Sequence, residues 1–177
     1  MSEKNSVAFF PVNIALLTVS DTRTIEDDAS GNILLGRLKK AGHNLADRAI
    51  VKDQVSLIVT KLIEWINTPD IHVIITTGGT GVTGRDVTPE AFKEVWEKEI
   101  PGFGELFRWI SYQKIKTSCI QSRACAGVAN GTYLFSLPGS TGACKDAWDE
   151  ILSFQLDIRH KPCNFVELIK RLNEHRN

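Results

Sequence analysis

Thr76-Thr77-Gly78-Gly79-Thr80-Gly81-Val82-Thr83-Gly84-Arg85-Asp86-Val87-Thr88-Pro89-Glu90 decides the reading of this chain. It starts where an apolar strand, residues 71–76, runs out. Four glycines in seven residues then leave backbone without side-chain cover. Glycine tolerates positive φ and lets amide N–H groups converge on an anion. An arginine and an aspartate follow, and Thr88-Pro89 reads as an N-cap and a first helical residue. Such a loop suits a phosphorylated or otherwise anionic ligand.

Working outward, residues 13–20 are a near-continuous apolar run, as in a strand covered on both faces. Residues 28–41 read as a helix with Ile33, Leu34, Arg37, Leu38 and Ala41 on one stripe, and Gly42 as its C′ residue. Residues 45–51 read as a second strand, interrupted by Asp47 and Arg48. A helix over 55–67 presents Leu57, Ile58, Leu62, Trp65 and Ile66. After the glycine loop, the helix through Phe92, Val95 and Trp96 breaks at Pro101-Gly102. Residues 103–111 read as helix, 119–126 as one or two turns, 132–137 as a fourth strand, and 143–156 as a long helix. A short amphipathic helix within 163–172 can pack on the domain or on a second copy. Strands alternating with helices predict a mainly parallel, Rossmann-like sheet in a three-layer α/β sandwich.

The chain has 177 residues, 42% hydrophobic and 24% charged, which suits one globular domain with a sizeable core. Lys+Arg and Asp+Glu both number 21. This balance argues against nucleic acid as the main partner, because phosphate-backbone binding needs a basic face. No run approaches the ~20 apolar residues of a membrane span. Residues 1–6 are polar and residues 7 onward lack a signal-peptide layout, so a cytoplasmic protein is expected. Cys119, Cys125, Cys144 and Cys163 form no CxxC pair, and His43, His72, His160 and His175 do not cluster with them. Reduced, mostly buried thiols are expected.

In open α/β sheets, ligands bind beyond the carboxyl ends of the strands. Those ends carry Ser20-Asp21, Lys52-Asp53, residues 77–86 and Pro138-Gly139-Ser140-Thr141-Gly142. Three of the four present an aspartate. Mg²⁺ reconciles carboxylates with a phosphate loop, because it takes one or two carboxylates plus phosphate oxygens and waters. Asp53 and Asp86 are therefore candidate metal-positioning groups for a nucleotide polyphosphate. Taken singly, each aspartate also reads as a cap or turn residue, Asp53 most of all because it precedes the helix at Val55. Gly79, Gly81 and Gly84 satisfy GxGxxG, but this stretch follows the third strand and opens no helix directly, unlike a dinucleotide site. No Gly-Lys-Ser/Thr follows, so the Walker pattern is absent. Ser140 reads as a hydrogen-bonding group rather than a nucleophile. Trp65, Trp96, Trp109 and Trp148 read as core. Arg108, Lys114 and Lys116 read as a basic rim or a solvated face.

Thr76-Thr77-Gly78-Gly79-Thr80-Gly81 and Arg85-Asp86-Val87-Thr88-Pro89-Glu90-Ala91 closely resemble the signature of the MoaB/MogA molybdopterin-binding family. Supporting matches are Ser20-Asp21, Ser30-Gly31, Pro101-Gly102-Phe103-Gly104-Glu105, Gln121-Ser122-Arg123 and Pro138-Gly139-Ser140. Gln121-Ser122-Arg123-Ala124, Ala126-Gly127-Val128-Ala129-Asn130 and Pro162-Cys163-Asn164-Phe165 resemble the MoaB branch in particular. The resemblance covers residues 12–165, with 1–11 as an N-terminal extension and 166–177 as a C-terminal helical tail.

The resemblance implies a homotrimer or a dimer of trimers. It implies binding of molybdopterin, a phosphorylated pterin dithiolene, and of ATP or GTP with Mg²⁺. Active members adenylylate the pterin phosphate; other members of the branch bind without transferring. It implies catalytic and metal-positioning roles for Asp53 and Asp86. Ligand contacts fall to Ser20, Asp21, Thr77, Gly78, Gly79, Thr80, Gly81, Arg85, Pro138, Gly139 and Ser140. The chain departs from the transferase-like pattern at Thr141-Gly142, where a second proline or a lysine is common. A cation missing there would cost turnover more than binding.

Overall fold

The computed structural model describes residues 7–176, apart from the side chain of His175. Residues 1–6 and 177 lie outside it, and so does the reading made of the polar N-terminus. The elements run β1 (Asn13–Val19), α1 (Ala29–Lys40), β2 (Asn44–Val51), α2 (Val55–Ile66), β3 (Val73–Thr77), α3 (Thr88–Val95), β4 (Lys98–Glu99) and α4 (Pro101–Ile115). A 3₁₀ turn (Lys116–Gln121) leads to β5 (Cys125–Ala129), β6 (Thr132–Leu137) and α5 (Thr141–Ala147). A π turn (Trp148–Leu152), the short α6 (Ser153–Gln155) and a 3₁₀ helix (Val166–Arg171) follow.

The six strands form one sheet in the order β2-β1-β3-β6-β5-β4. β2, β1, β3 and β6 are parallel; β5 is antiparallel to β6, and β4 to β5. Alternate residues of β1 feed opposite layers. Ile14 and Leu16 pack beneath Leu34 and Leu38 of α1 and Cys144 and Ala147 of α5. Ala15, Leu17 and Val19 pack beneath Ile58 and Leu62 of α2 and Phe92 of α3. Burial on both faces explains the unbroken apolar run, and each fully buried Leu or Ile contributes about 1.5–3 kcal/mol. The expected three-layer α/β sandwich with a mainly parallel sheet is the observed architecture.

Five local expectations need correction. Of residues 119–126, read as turns, the first part lies in the 3₁₀ turn, but residues 125 and 126 begin a strand, Cys125–Ala129, with which Lys98–Glu99 pairs. Gly127 permits that pairing, since a Cβ there would lie 2.6 Å from the Trp96 ring and 2.9 Å from Lys98 O. Pro101 opens α4 rather than only breaking the helix before it, and α4 runs on to Ile115. Val87, not Thr88, stands at the N-cap of α3, because the Thr88 hydroxyl donates to Gly78 O at 2.8 Å instead. Trp65 and Trp148 are core, but Trp109 is 64% exposed. Leu57 points out to solvent while Ile58, Leu62, Trp65 and Ile66 carry the buried face of α2.

Gly42 does take positive φ (+87°) beyond α1. The 3₁₀ helix at Val166 lies on the domain itself, with Val166 buried and Phe165, Ile169 and Leu172 against the α1-side core. Cys119 and Cys144 are buried, Cys125 is half-buried and Cys163 is exposed, and all four are free. Among the described residues no helix is long and apolar enough to cross a membrane.

Candidate functional site

The carboxyl ends of β1, β2, β3 and β6 meet at one rim, and the loops that follow them build the site. Gly78 and Gly79 take φ of +106° and +66°. A Cβ on Gly78 would lie 2.2 Å from Val19 O, so both strain and close approach demand glycine. Gly78 N donates to Leu137 O at 3.0 Å, and the Thr77 hydroxyl donates to Pro138 O at 3.0 Å. A Cβ on Gly139 would lie 3.2 Å from Gly78 Cα. The glycine loop and the loop over 138–140 therefore touch backbone to backbone. Ser140 ends the second loop by capping α5, its hydroxyl accepting from Ala143 N at 3.1 Å.

Between the two loops opens a cavity of about 380 Å³. Gly78, Gly79, Thr80, Gly81, Asp86, Pro138, Gly139 and Ser140 line one side. Phe107, Ser111 and Ile115 of α4 line the other, with Ser118, Cys119, Gln121 and Ser122 of the turn after it. One wall thus offers backbone amides and the opposite wall offers an apolar and hydroxyl surface. That division fits a ligand with an anionic end and a flat organic end.

Eight of the candidate site residues line this cavity. The other five, Ser20, Asp21, Asp53, Thr77 and Arg85, sit beside it. Arg85 holds Asp21 through Nε (2.9 Å) and Nη2 (2.7 Å), and Asp21 Oδ1 also accepts from Asp53 N at 3.3 Å. The Arg85 hydrogen bond holds the Asp21 carboxyl below the usual aspartate range. Asp53 goes the other way: burial, then the neighbouring Asp21 charge, pushes its pKa up, against the pull of Arg85. It does not cap α2. Gln54 stands at that position with no side-chain cap bond. Asp53 Oδ1 would lie 3.2 Å from a Cβ on Gly79, so Asp53 faces the glycine loop. Burial raises the Asp86 pKa, but hydrogen bonds from the Thr83 hydroxyl (2.6 Å) and Thr83 N (2.9 Å) help bring it below the usual value. Asp53 and Asp86 therefore share one rim in different charge environments.

Two arginines complete the site, and local sequence patterns reveal neither role. Arg23 reaches Gly139 O (3.1 Å) and the Ser30 hydroxyl (3.2 Å). It stands 3.7 Å from Asp28, whose carboxylate is fully buried and held by Thr18, Arg48 and Gly31 N. Its position three residues past Ser20, in the zone beyond β1, is the one available signal. Arg123 reaches Gly81 O and Asp86 O, each at 2.6 Å, and pairs with Glu90. Of the expected basic rim, Arg108 instead points at Ala124 O (3.2 Å), Lys114 pairs with Asp146 and Lys116 lies over Tyr112. Among the described residues no group of three or more His, Cys, Asp or Glu converges on a point that could hold a metal ion.

A family model described as a probable molybdopterin binding domain matches residues 15–158. Molybdenum cofactor biosynthesis protein B of Escherichia coli (strain K12) is 48% identical over 166 residues, which cover 94% of this chain and 98% of that protein. A crystal structure of molybdenum cofactor biosynthesis protein B superposes with a TM-score of 0.85 at 39% identity, covering 97% of this chain and 100% of the other. The tungsten cofactor synthesizing protein MoaB from Pyrococcus furiosus superposes with a TM-score of 0.73 at 35% identity, covering 81% and 91%. The glycine loop, its partner loop and both rim aspartates all fall within the matched span, and the chain belongs to the molybdopterin-binding domain family.

Proposed function

We propose that this protein works in molybdenum cofactor assembly. It binds molybdopterin and a nucleotide, ATP or GTP, at the two-loop rim and, with ATP, adenylylates the pterin phosphate. The observation that carries the proposal is the single cavity lined by both loops, with Asp86 in its wall and Asp53 facing Gly79. The names of the similar proteins support the pathway.

In the transfer, a pterin-phosphate oxygen bonds to the α-phosphorus of ATP. The bond from that phosphorus to the β-bridging oxygen breaks, and the electron pair leaves with pyrophosphate. Such chemistry asks the protein for in-line positioning and charge stabilisation rather than covalent help. Amides of residues 79–81 are placed for the phosphates. Ser20, Asp21, Thr77, Arg85 and the loop over 138–140 fix the geometry around them. Asp53 and Asp86 are too few to cage a metal alone, which suits Mg²⁺ shared with phosphate oxygens. A Mg²⁺ held by Asp53 and Asp86 would supply positive charge to the phosphates.

The free cysteines fit a reducing, cytoplasmic setting. Leu106, Trp109, Tyr112 and Ile120 form an exposed apolar patch on and after α4. It supports self-association, as a homotrimer or dimer of trimers. The test is chromatographic detection of adenylylated pterin and pyrophosphate from molybdopterin, ATP and Mg²⁺. Product formation is expected. Tight pterin binding without product would leave a non-catalytic binding protein, and no pterin binding would overturn both readings.

A further inference from the structure

We propose that Arg123 is a positioning residue that sets the Asp86 carboxylate at the cavity wall; this rests on the transfer reaction proposed above. Arg123 holds the glycine loop at three points and the helix after it at a fourth. Its backbone N donates to Thr80 O at 2.9 Å. Its Nε donates to Gly81 O and its Nη2 to Asp86 O, both at 2.6 Å. Its Nη1 pairs with Glu90 in the first turn of α3. The two carbonyls it grips are the two ends of the segment over 81–86. Between them Val82 is exposed and a Cβ on Gly84 would meet open space, while Arg85 ties the segment to Asp21 on the other side.

The segment is closed from within by Asp86 itself, which accepts from Thr83 N and the Thr83 hydroxyl. A Cβ on Gly81 would lie 2.7 Å from Asp86 Oδ2, so the two ends of the segment are already in contact. Arg123 holds the carbonyl of Asp86 itself, so it fixes the backbone from which that carboxylate projects. Arg123 in turn is backed by Arg108, which binds Ala124 O at 3.2 Å. Gln121 and Ser122 line the ligand cavity, whereas Arg123 faces a separate hollow of about 420 Å³ behind it. Its guanidinium is not among the groups that line the ligand cavity and is placed to act through the loop carbonyls it holds. Only a planar guanidinium can reach two carbonyls and a carboxylate at once; a lysine keeps the charge but loses the fork.

The test is a double-mutant cycle with three readouts. Arg123→Ala is expected to lower kcat about 100-fold, the usual cost of a misplaced group. Molybdopterin affinity, measured by calorimetry, is expected to change by less than roughly threefold, because the lost interaction serves the transition state alone. In an Asp86→Asn background the same change adds little, since both act through one carboxylate. A crystal structure of the Arg123→Ala protein, which needs no turnover, is expected to show the 81–86 segment shifted and the Asp86 carboxylate away from Thr83; an unmoved carboxylate overturns the role. If Arg123→Ala does not fold, Arg123→Lys carries the same cycle, with turnover still lowered despite the retained charge. Losses that multiply in the double variant, or an affinity loss as large as the turnover loss, overturn the role of Arg123 alone. A wild-type protein that forms no adenylylated product overturns the transfer reading together with it.

Discussion

Two loops close one cavity and each is met from behind by a distant arginine, yet the two anchors differ in construction. Arg123 grips the glycine loop directly, at Gly81 O, Asp86 O and Glu90. Arg23 touches the loop over 138–140 at one carbonyl, which it shares with the Ser30 hydroxyl. That second loop is already fixed by the Ser140 cap and the Thr77 hydroxyl. Its arginine rests on a buried charge network, Asp28 with Thr18, Arg48 and Gly31 N. The glycine-rich loop, with few side chains to hold it, depends on an outside clamp. The proline loop depends on the helix it starts and on the core beneath it.

The difference can be broken first at its base. Asp28→Ala strands Arg48 in a half-buried position, and removing one partner of a buried pair costs about 3–5 kcal/mol. Urea unfolding should show that loss. The pH dependence gives its sign. Burial opposes the Asp28 charge, but the Thr18 and Arg48 hydrogen bonds win and lower its pKa. Its contribution is thus present above the ordinary aspartate pKa and disappears as pH falls through the lowered value.

Asp86→Asn should leave the fold intact and cut turnover about 10²–10³-fold, the range seen when one transition-state group is removed. Steady-state product formation measures it. Unchanged turnover would remove Asp86 from the mechanism.

Asp53 sharpens the contrast because its linkage has the opposite sign to that of Asp28. Its folded pKa is raised, so its contribution to stability is present below the ordinary aspartate value and is lost as pH rises through the raised one. If its charged form assists transfer, the acid limb of the rate profile lies above the ordinary aspartate range. Asp53→Asn should remove that limb and weaken the response to Mg²⁺. An intact Mg²⁺ response would take Asp53 out of the metal role.

Arg23→Ala is the smallest effect. It loses one carbonyl hydrogen bond on a partly exposed side chain, so pterin affinity should fall roughly fivefold, about 1 kcal/mol. A loss as large as that expected in turnover for Arg123→Ala would erase the distinction between the two anchors.

The parallel half of the sheet was readable because β1 and β3 are buried on both faces and so are largely apolar. The antiparallel edge was not, for physical reasons. β4 has two residues, and β5 is Cys-Ala-Gly-Val-Ala, small because Trp96 and Lys98 pack against Gly127. One signal there was usable. Asn130-Gly131, with φ of +46° and +81°, forms the two-residue connection between β5 and β6. Asn-Gly between two apolar runs marks a hairpin.

For the site, the topological rule found both aspartates and both loops, because strand ends are fixed by strand order. It did not find that Arg85 holds Asp21, or that Arg23 and Arg123 hold the loops. Those contacts join residues 64, 116 and 37 positions apart. No local periodicity carries such information.

The most direct test of the central claim is a crystal structure of the protein with molybdopterin. The account predicts the pterin phosphate on the amides of residues 79–81, between the glycine loop and Ser140, with the pterin against Phe107 and Ser111. Pterin density in the hollow behind Arg123, against Trp96 and Arg108, with the two-loop cavity empty, would contradict it.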